Sequence, residues 1–123
     1  MICVDIQEKM IGTLKKRAAK AGLGERITTV VASGDSLHLD AYEGAADFAS
    51  AFAVAHEVPD QAGLFAQVHR AMKPGSLLLL SEPKGHVTEE GFQKTIELAR
   101  ASGFTLEGSP DIKHALSRIL KKK

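Results

Sequence analysis

The apolar positions change period several times along the chain, and each change marks an element. Ile2-Cys3-Val4 is a short unbroken apolar run closed by Asp5, which reads as a strand. From Gln7 to Gly22, Met10, Ile11, Leu14, Ala18 and Ala21 recur at helical spacing while Lys15, Lys16, Arg17 and Lys20 fall mostly elsewhere. This predicts an amphipathic helix directly after the strand, with Gly22 as its stop. Asp5, with Glu8 three residues on, resembles a capping box with Asp in place of Ser or Thr, which gives Asp5 an N-cap role. Ile27 to Ala32 is β-rich and unbroken until Ser33-Gly34-Asp35, so a second strand also ends in an acid.

Residues 36–46 carry no strong period and read as a loop with at most a helical turn. Asp47 to Val54 is small and apolar throughout, as in a central strand covered on both faces. The stretch HEVPD turns the chain, and Asp60 caps a helix whose Leu64, Phe65, Val68, Ala71 and Met72 share one face until Lys73-Pro74-Gly75 ends it. Ser76 to Leu80 is a further buried strand. Thr88 caps a helix with Glu89 and Glu90 in its first turn and Phe92, Ile96 and Ala99 on its buried stripe, up to Gly103.

Phe104 to Glu107 is a short strand, and the final IKHALSRIL fits two patterns. Ile112, Leu116, Ile119 and Leu120 suit a helix, whereas the turn at Gly108-Ser109-Pro110 suits a closing antiparallel strand; the strand is preferred. Strands alternating with helices predict an α/β domain with a mostly parallel sheet and right-handed crossovers. No repeat or linker divides residues 1–123, so a single domain is expected.

Composition narrows the function classes. With 44% hydrophobic and 25% charged residues, the 123-residue chain is long enough to build one core without staples. Sixteen basic against fifteen acidic residues leave a formal charge of +1, which gives no reason to expect a nucleic-acid or membrane-surface partner. Lys121-Lys122-Lys123 reads as a solvated tail. One cysteine excludes an internal disulfide, Cys3 inside an apolar strand reads as a buried thiol, and no apolar run approaches a membrane span. A soluble cytoplasmic protein is the expectation.

Five segments in order carry a resemblance: VDIQEKM at the end of a strand, SGD some thirty residues later, DFASAFAVAHEVPD, VHRAMKPGSLLLLSEPKGHV, and a Gly-Phe opening the last strand pair. Together they resemble class I S-adenosylmethionine-dependent methyltransferases of the small-molecule type related to quinone-ring methylases, over nearly the whole chain. The resemblance implies a Rossmann-like sheet whose closing strand, IKHALSRIL, is antiparallel. It implies that Asp5 accepts hydrogen bonds from both ribose hydroxyls of S-adenosylmethionine, with Ile6 packed on the adenine. A carboxylate suits a diol because its two oxygens accept side by side. It also implies that Asp35 accepts the adenine amino group and that Ser36 and Leu37 flank the ring.

The chain departs from the family in one respect. Gly12, Gly22, Gly24 and Gly34 do not form G-x-G-x-x-G, so the first strand and glycine-rich loop that would cradle the methionine end of the cofactor are not found, and an N-terminally truncated fold is expected. In the family's sheet that strand lies between the VDI strand and the DFASAFAV strand. Their open edges would call for pairing with each other or across a two-fold axis with a second chain, a homodimer.

Ligands of open parallel sheets bind beyond the carboxyl ends of the strands. The HEVPD and SEPKGH loops follow two such ends, so His56, Glu57, Glu82 and His86 are the candidate catalytic residues, with His56 or His86 as a base where the accepting atom holds a proton. The same four residues lack H-E-x-x-H and cysteine-pair spacing, and no metal site is expected. No Asn-Pro-Pro-Tyr-like motif follows DFASAFAV, which favours a small-molecule acceptor over nucleic-acid bases. The alternatives are a non-catalytic methyltransferase-like scaffold or assembly subunit and, ranked lower, a receiver-like signalling domain. The last needs an Asp ending the third strand and a Lys ending the fifth, but Asp47 begins the third and Lys84 follows the fourth.

Overall fold

In the computed structural model, which describes residues 1–33 and 36–123, the chain divides into two compact units, Met1–Ala41 and Tyr42–Lys123. In the first, strand β1 (Ile2–Asp5) pairs in parallel with β2 (Thr28–Val31), in register from Ile2 opposite Thr28 to Asp5 opposite Val31. Helix α1 (Glu8–Lys20) makes the crossover and buries Ile11 and Ala18. Its C-terminus is closed by Gly22 at φ 75°, with the Leu23 N–H reaching back to the Ala18 carbonyl at 2.8 Å, the bond pattern of a Schellman motif.

The start of α1 corrects the expectation for Asp5. The helix begins at Glu8 with Gln7 as N-cap and no side-chain cap bond. Asp5 Oδ1 instead accepts the Gln7 N–H at 2.9 Å, so the carboxylate holds the turn between strand and helix. The single thiol, Cys3, is half-buried and free, less enclosed than an apolar strand suggests.

The second unit is a four-stranded sheet in the order β3 (Ala46–Phe52), β4 (Met72–Pro83), β6 (Ala115–Lys122), β5 (Phe104–Gly108). β3 and β4 are parallel, while β6 runs antiparallel to both neighbours, β4 and β5, so IKHALSRIL holds the closing strand. Helices α2 (Gln61–Ala71) and α3 (Glu89–Ala101) pack on each other, α2 also on β4 and α3 on β5. The core between helices and sheet holds Leu64, Phe65, Leu78, Leu80, Phe92, Ile96, Ala99, Phe104 and Leu120. Both helices start where the sequence places them: Asp60 accepts from the Gly63 N–H at 2.9 Å and Thr88 from the Gly91 N–H at 3.0 Å.

Three elements differ from expectation. Met72 lies in β4, fully buried, because the chain turns from helix to strand at Ala71 without waiting for Pro74 and Gly75. β3 pairs only with β4 among the described residues, and Phe48 and Phe52 are 54% and 55% exposed, so it is an edge strand here and not covered on both faces. Alternation explains the pattern: Ala49 and Ala51, opposite Leu78 and Leu80, share the core face, and the two phenylalanines fall on the other. Finally, Lys121 and Lys122 belong to β6, where Lys122 Nζ donates to the Met72 carbonyl at 2.7 Å, so they are strand residues and not a tail.

Candidate functional site

Because β3 and β4 are parallel neighbours, the loops that follow them leave the same end of the sheet. After β3 the chain passes through Ala53, which adopts φ 58° while its N–H donates to the Ser81 carbonyl at 2.7 Å. A left-handed alanine costs roughly 1–2 kcal/mol and marks a sharp, imposed turn. Next comes the 3-10 turn Ala55–Glu57. Gln61, the first residue of α2, donates from Nε2 to the Ala55 carbonyl at 2.8 Å, and Thr95 of α3 donates from Oγ1 to Gln61 Oε1 at 2.8 Å. Two helices thus pin the turn that carries His56.

Opposite it stands Glu82 on β4. Period two puts Glu82 on the face of Leu78 and Leu80, pointing toward the core, and its side chain is 1% exposed. The acid is enclosed in the strand end and meets the imidazole of His56 there, bonded from Oε2 to Nδ1. Its second oxygen, Oε1, is buried with no hydrogen-bond partner among the described residues. An acid held in this way carries a desolvation cost that a purely structural position would avoid, which marks a functional candidate.

The remaining two candidates border the ring. Glu57 Oε1 lies 3.7 Å from His56 Nε2, beyond hydrogen-bond range, and its side chain is largely exposed. His86 stacks on His56 with ring centroids 5.9 Å apart and planes inclined by 26°. His86 is held by the turn after β4, in which its N–H and that of Val87 both donate to the Pro83 carbonyl, while the Lys84 N–H is taken by His114, another residue at positive φ. The structure therefore brings His56, Glu57, Glu82 and His86 together. Sequence reasoning missed Gln61 and Thr95, which hold the turn; only their positions in the first turn of one helix and on the buried stripe of the next signal them. No group of three or more metal-ligating side chains forms among the described residues.

The other candidates lie in the first unit. Asp5 ends β1 and spends one oxygen on Gln7, which leaves Oδ2 free of any described hydrogen bond. Beside it Ile6 is 58% exposed, an apolar side chain left in the open next to an acid. Ser36 Oγ accepts the His38 N–H at 3.1 Å and the Ser36 carbonyl accepts the Ser33 N–H at 2.8 Å, shaping the loop after β2, and Leu37 is half-buried there. Asp35 lies outside the described residues. An acid with a free oxygen beside an exposed apolar side chain fits the ribose and base of an adenosine.

Known proteins share this fold. The fold matches a methyltransferase of Aquifex aeolicus described as dependent on S-adenosylmethionine, with a TM-score of 0.83 at 15% identity over 99% of this chain and 68% of that one. It matches an S-adenosylmethionine-dependent methyltransferase of Mesorhizobium loti with a TM-score of 0.75 at 21% identity, over 98% of this chain and 80% of that one. The [4+2]-cyclase SpnF matches with a TM-score of 0.75 at 21% identity over 90% of this chain, which spans only 45% of the cyclase. At these identities the likeness establishes the Rossmann-like fold, and the cyclase shows that this fold serves more than one reaction. No curated protein matches the chain in sequence. No helix among the described residues is long and apolar enough to cross a membrane. Residues 1–80, from β1 into β4, match the family described as a methyltransferase domain, and the chain therefore belongs to the class I methyltransferases, whose cofactor is S-adenosylmethionine.

Proposed function

We propose that the chain serves S-adenosylmethionine-dependent methyl transfer to a small-molecule acceptor. The observation that carries this reading is the bond between His56 and the buried Glu82 at the carboxyl ends of two parallel strands, in a chain of the methyltransferase-domain family. The cofactor supplies an activated methyl group when bound, so the protein must add alignment, exclusion of water and the handling of a proton. His56, Glu57, Glu82 and His86 are the residues suited to the acceptor. Asp5, Ile6, Ser36 and Leu37, with Asp35, are suited to the adenosine half of the cofactor. The near-neutral charge favours a small molecule over a nucleic acid, and the free thiol of Cys3 is in keeping with a cytoplasmic setting.

Among the described residues the outer edge of β3 is unpaired, and Phe48 and Phe52 are exposed on that strand, which supports pairing with a second copy of the chain. A non-catalytic scaffold or assembly subunit is the second reading, supported by the edge of β3 that is unpaired among the described residues.

Calorimetric titration with S-adenosylmethionine and with adenosine separates the two. Methyl transfer predicts saturable heat that Asp5→Ala weakens at least tenfold, since each hydrogen bond to a carboxylate contributes about 1.5–3 kcal/mol and about 1.4 kcal/mol is a factor of ten. Silence with both ligands would favour the scaffold. Light scattering on the same samples at several concentrations reads the oligomeric state.

A further inference from the structure

We infer that Arg118 is a specificity-determining residue, and that the methyl acceptor it serves is a small molecule carrying one carboxylate. The inference rests on the methyl-transfer reading and deepens it by naming a substrate class.

Arg118 lies on β6 directly opposite Leu80 of β4, so both side chains turn to the face that carries the helices. There its guanidinium carbon sits 5.3 Å from the centre of the Phe92 ring, which belongs to the first turn of α3. β4 ends at Pro83 and α3 begins at Glu89, with His86 in the turn between them. Arg118 therefore stands toward the end of the sheet that bears His56 and His86.

The chain has five arginines, and four of them, Arg17, Arg26, Arg70 and Arg100, are exposed. Arg118 alone is half-buried. A cation drawn out of water is normally matched by an acid. Among the described residues Arg118 forms no ion pair, whereas Arg70 meets Glu43 and Arg100 meets Glu97, both at 3.4 Å. Glu82, diagonal to Arg118 across β4 and β6, is joined to His56 instead, and its Oε1 takes no described bond. Of the five N–H groups of the guanidinium one is spent, from Nη1 to the Ser117 carbonyl at 2.7 Å. That bond and the Phe92 ring hold the plane in place, while the remaining donors have no described acceptor.

A held guanidinium with donors to spare matches the two oxygens of a carboxylate, which it meets with parallel bonds. Because Arg118 is half-buried and not enclosed, a ligand can reach it. The exposed acids Glu89 and Glu90 share the first turn of α3 with Phe92, and they oppose each further negative charge on a ligand. A single carboxylate fits this setting better than a doubly charged phosphate.

Side-chain Nε–Hε signals of the 15N-labelled chain test this without turnover. The signal lost in Arg118→Met, whose apolar stem keeps the packing on Phe92, is that of Arg118. Sodium benzoate is the probe, set against its neutral amide, benzamide, and against sodium chloride at equal ionic strength. The expected result is a saturable shift of the Arg118 signal with benzoate and not with the other two, larger than at any exposed arginine. Arg118→Lys keeps the charge but not the fork, and should weaken benzoate binding, read from the backbone amides of β6, about tenfold. Equal responses to benzoate and benzamide, a benzoate response no larger at Arg118 than at the exposed arginines, or undiminished binding by Arg118→Lys would overturn the inference and leave Arg118 as packing on Phe92. If a variant does not fold, the signal is assigned from its proximity to the Phe92 ring protons and the wild-type series decides. The cofactor titration is independent: benzoate recognition in a chain silent to S-adenosylmethionine removes methyl transfer alone, and a cofactor-binding chain that does not distinguish benzoate from benzamide removes this inference alone.

Discussion

Replacing His56 with alanine should cost more stability than replacing the buried acid it contacts. In His56→Ala, Glu82 keeps its enclosed position at 1% exposure but loses the partner of Oε2, and Oε1 already has none among the described residues. A lost hydrogen bond to a charged group costs about 1.5–3 kcal/mol, and breaking a fully buried ion pair about 3–5. His56 is 22% exposed, so water can enter the vacated space; the lower range, about 2–3 kcal/mol, therefore applies. In Glu82→Met the acid and its desolvation cost leave together, and an apolar chain of similar length joins Leu80 on the core face. Removing a buried charge in favour of a packed hydrophobe is neutral or stabilising by about 1–4 kcal/mol. Once Glu82 is gone, removing His56 as well should add little, so the coupling energy of the double-mutant cycle should be about 2–3 kcal/mol. The chain has no tryptophan and one tyrosine, Tyr42, the first residue of the second unit, so tyrosine fluorescence during urea unfolding is read from that position. A His56→Ala cost below about 1 kcal/mol, together with a Glu82→Met cost above about 2, would show that something other than His56 holds the carboxylate and would refute the reasoning.

Gly103 should tolerate no side chain: at φ 107° an added Cβ would also come within 2.6 Å of His69 Nε2, so Gly103→Ala should lose about 1–3 kcal/mol in the same unfolding assay, and a loss near zero would count against the strain. His69 itself predicts acid sensitivity. Burial pushes its imidazole below the usual 6.5 and the charge of Lys122 adds to this, against an opposing backbone hydrogen bond at Gly103. The unfolded chain then binds more protons than the folded one, so stability from this group is complete above pH 6.5 and is lost as pH falls from there through the lowered value. His69→Gln should flatten the pH dependence of the urea midpoint in that window; an unchanged slope would assign the sensitivity to other groups.

Much of the fold is legible in the sequence because local signals and tertiary context agree. Asp60 and Thr88 cap the helices their side chains announce, and the stripe Phe92, Ile96, Ala99 lies in the core as its spacing requires. The failures fall where tertiary context overrides a local signal. Met72 completes a helical stripe yet enters β4, since a buried strand can use an apolar side chain equally well. Asp5 has the spacing of a cap, but the strand continues one residue too far and its carboxylate meets the Gln7 N–H instead. The polar support of the candidate site was the least legible part. Gln61 and Thr95 are 34 residues apart, and nothing in a one-dimensional pattern links a helix N-terminus to the buried stripe of another helix.

The site itself follows from one topological fact, the parallel pairing of β3 and β4. Parallel strands send both following loops to one end of the sheet, so residues 26 positions apart in the chain can meet without any special folding device. Period two then decides which residue at that end points inward: Ser81 goes to one face, where it bonds Ser117 at 2.9 Å, and Glu82 goes to the other, beneath His56. Moving the acid one place along β4 would keep the composition and the strand but leave the histidine without its partner. The same fold in a methyltransferase and in a [4+2]-cyclase shows that the sheet does not select a reaction. What distinguishes this chain at that end of the sheet is the inward turn of Glu82, which sets a carboxylate 1% exposed against the ring of His56.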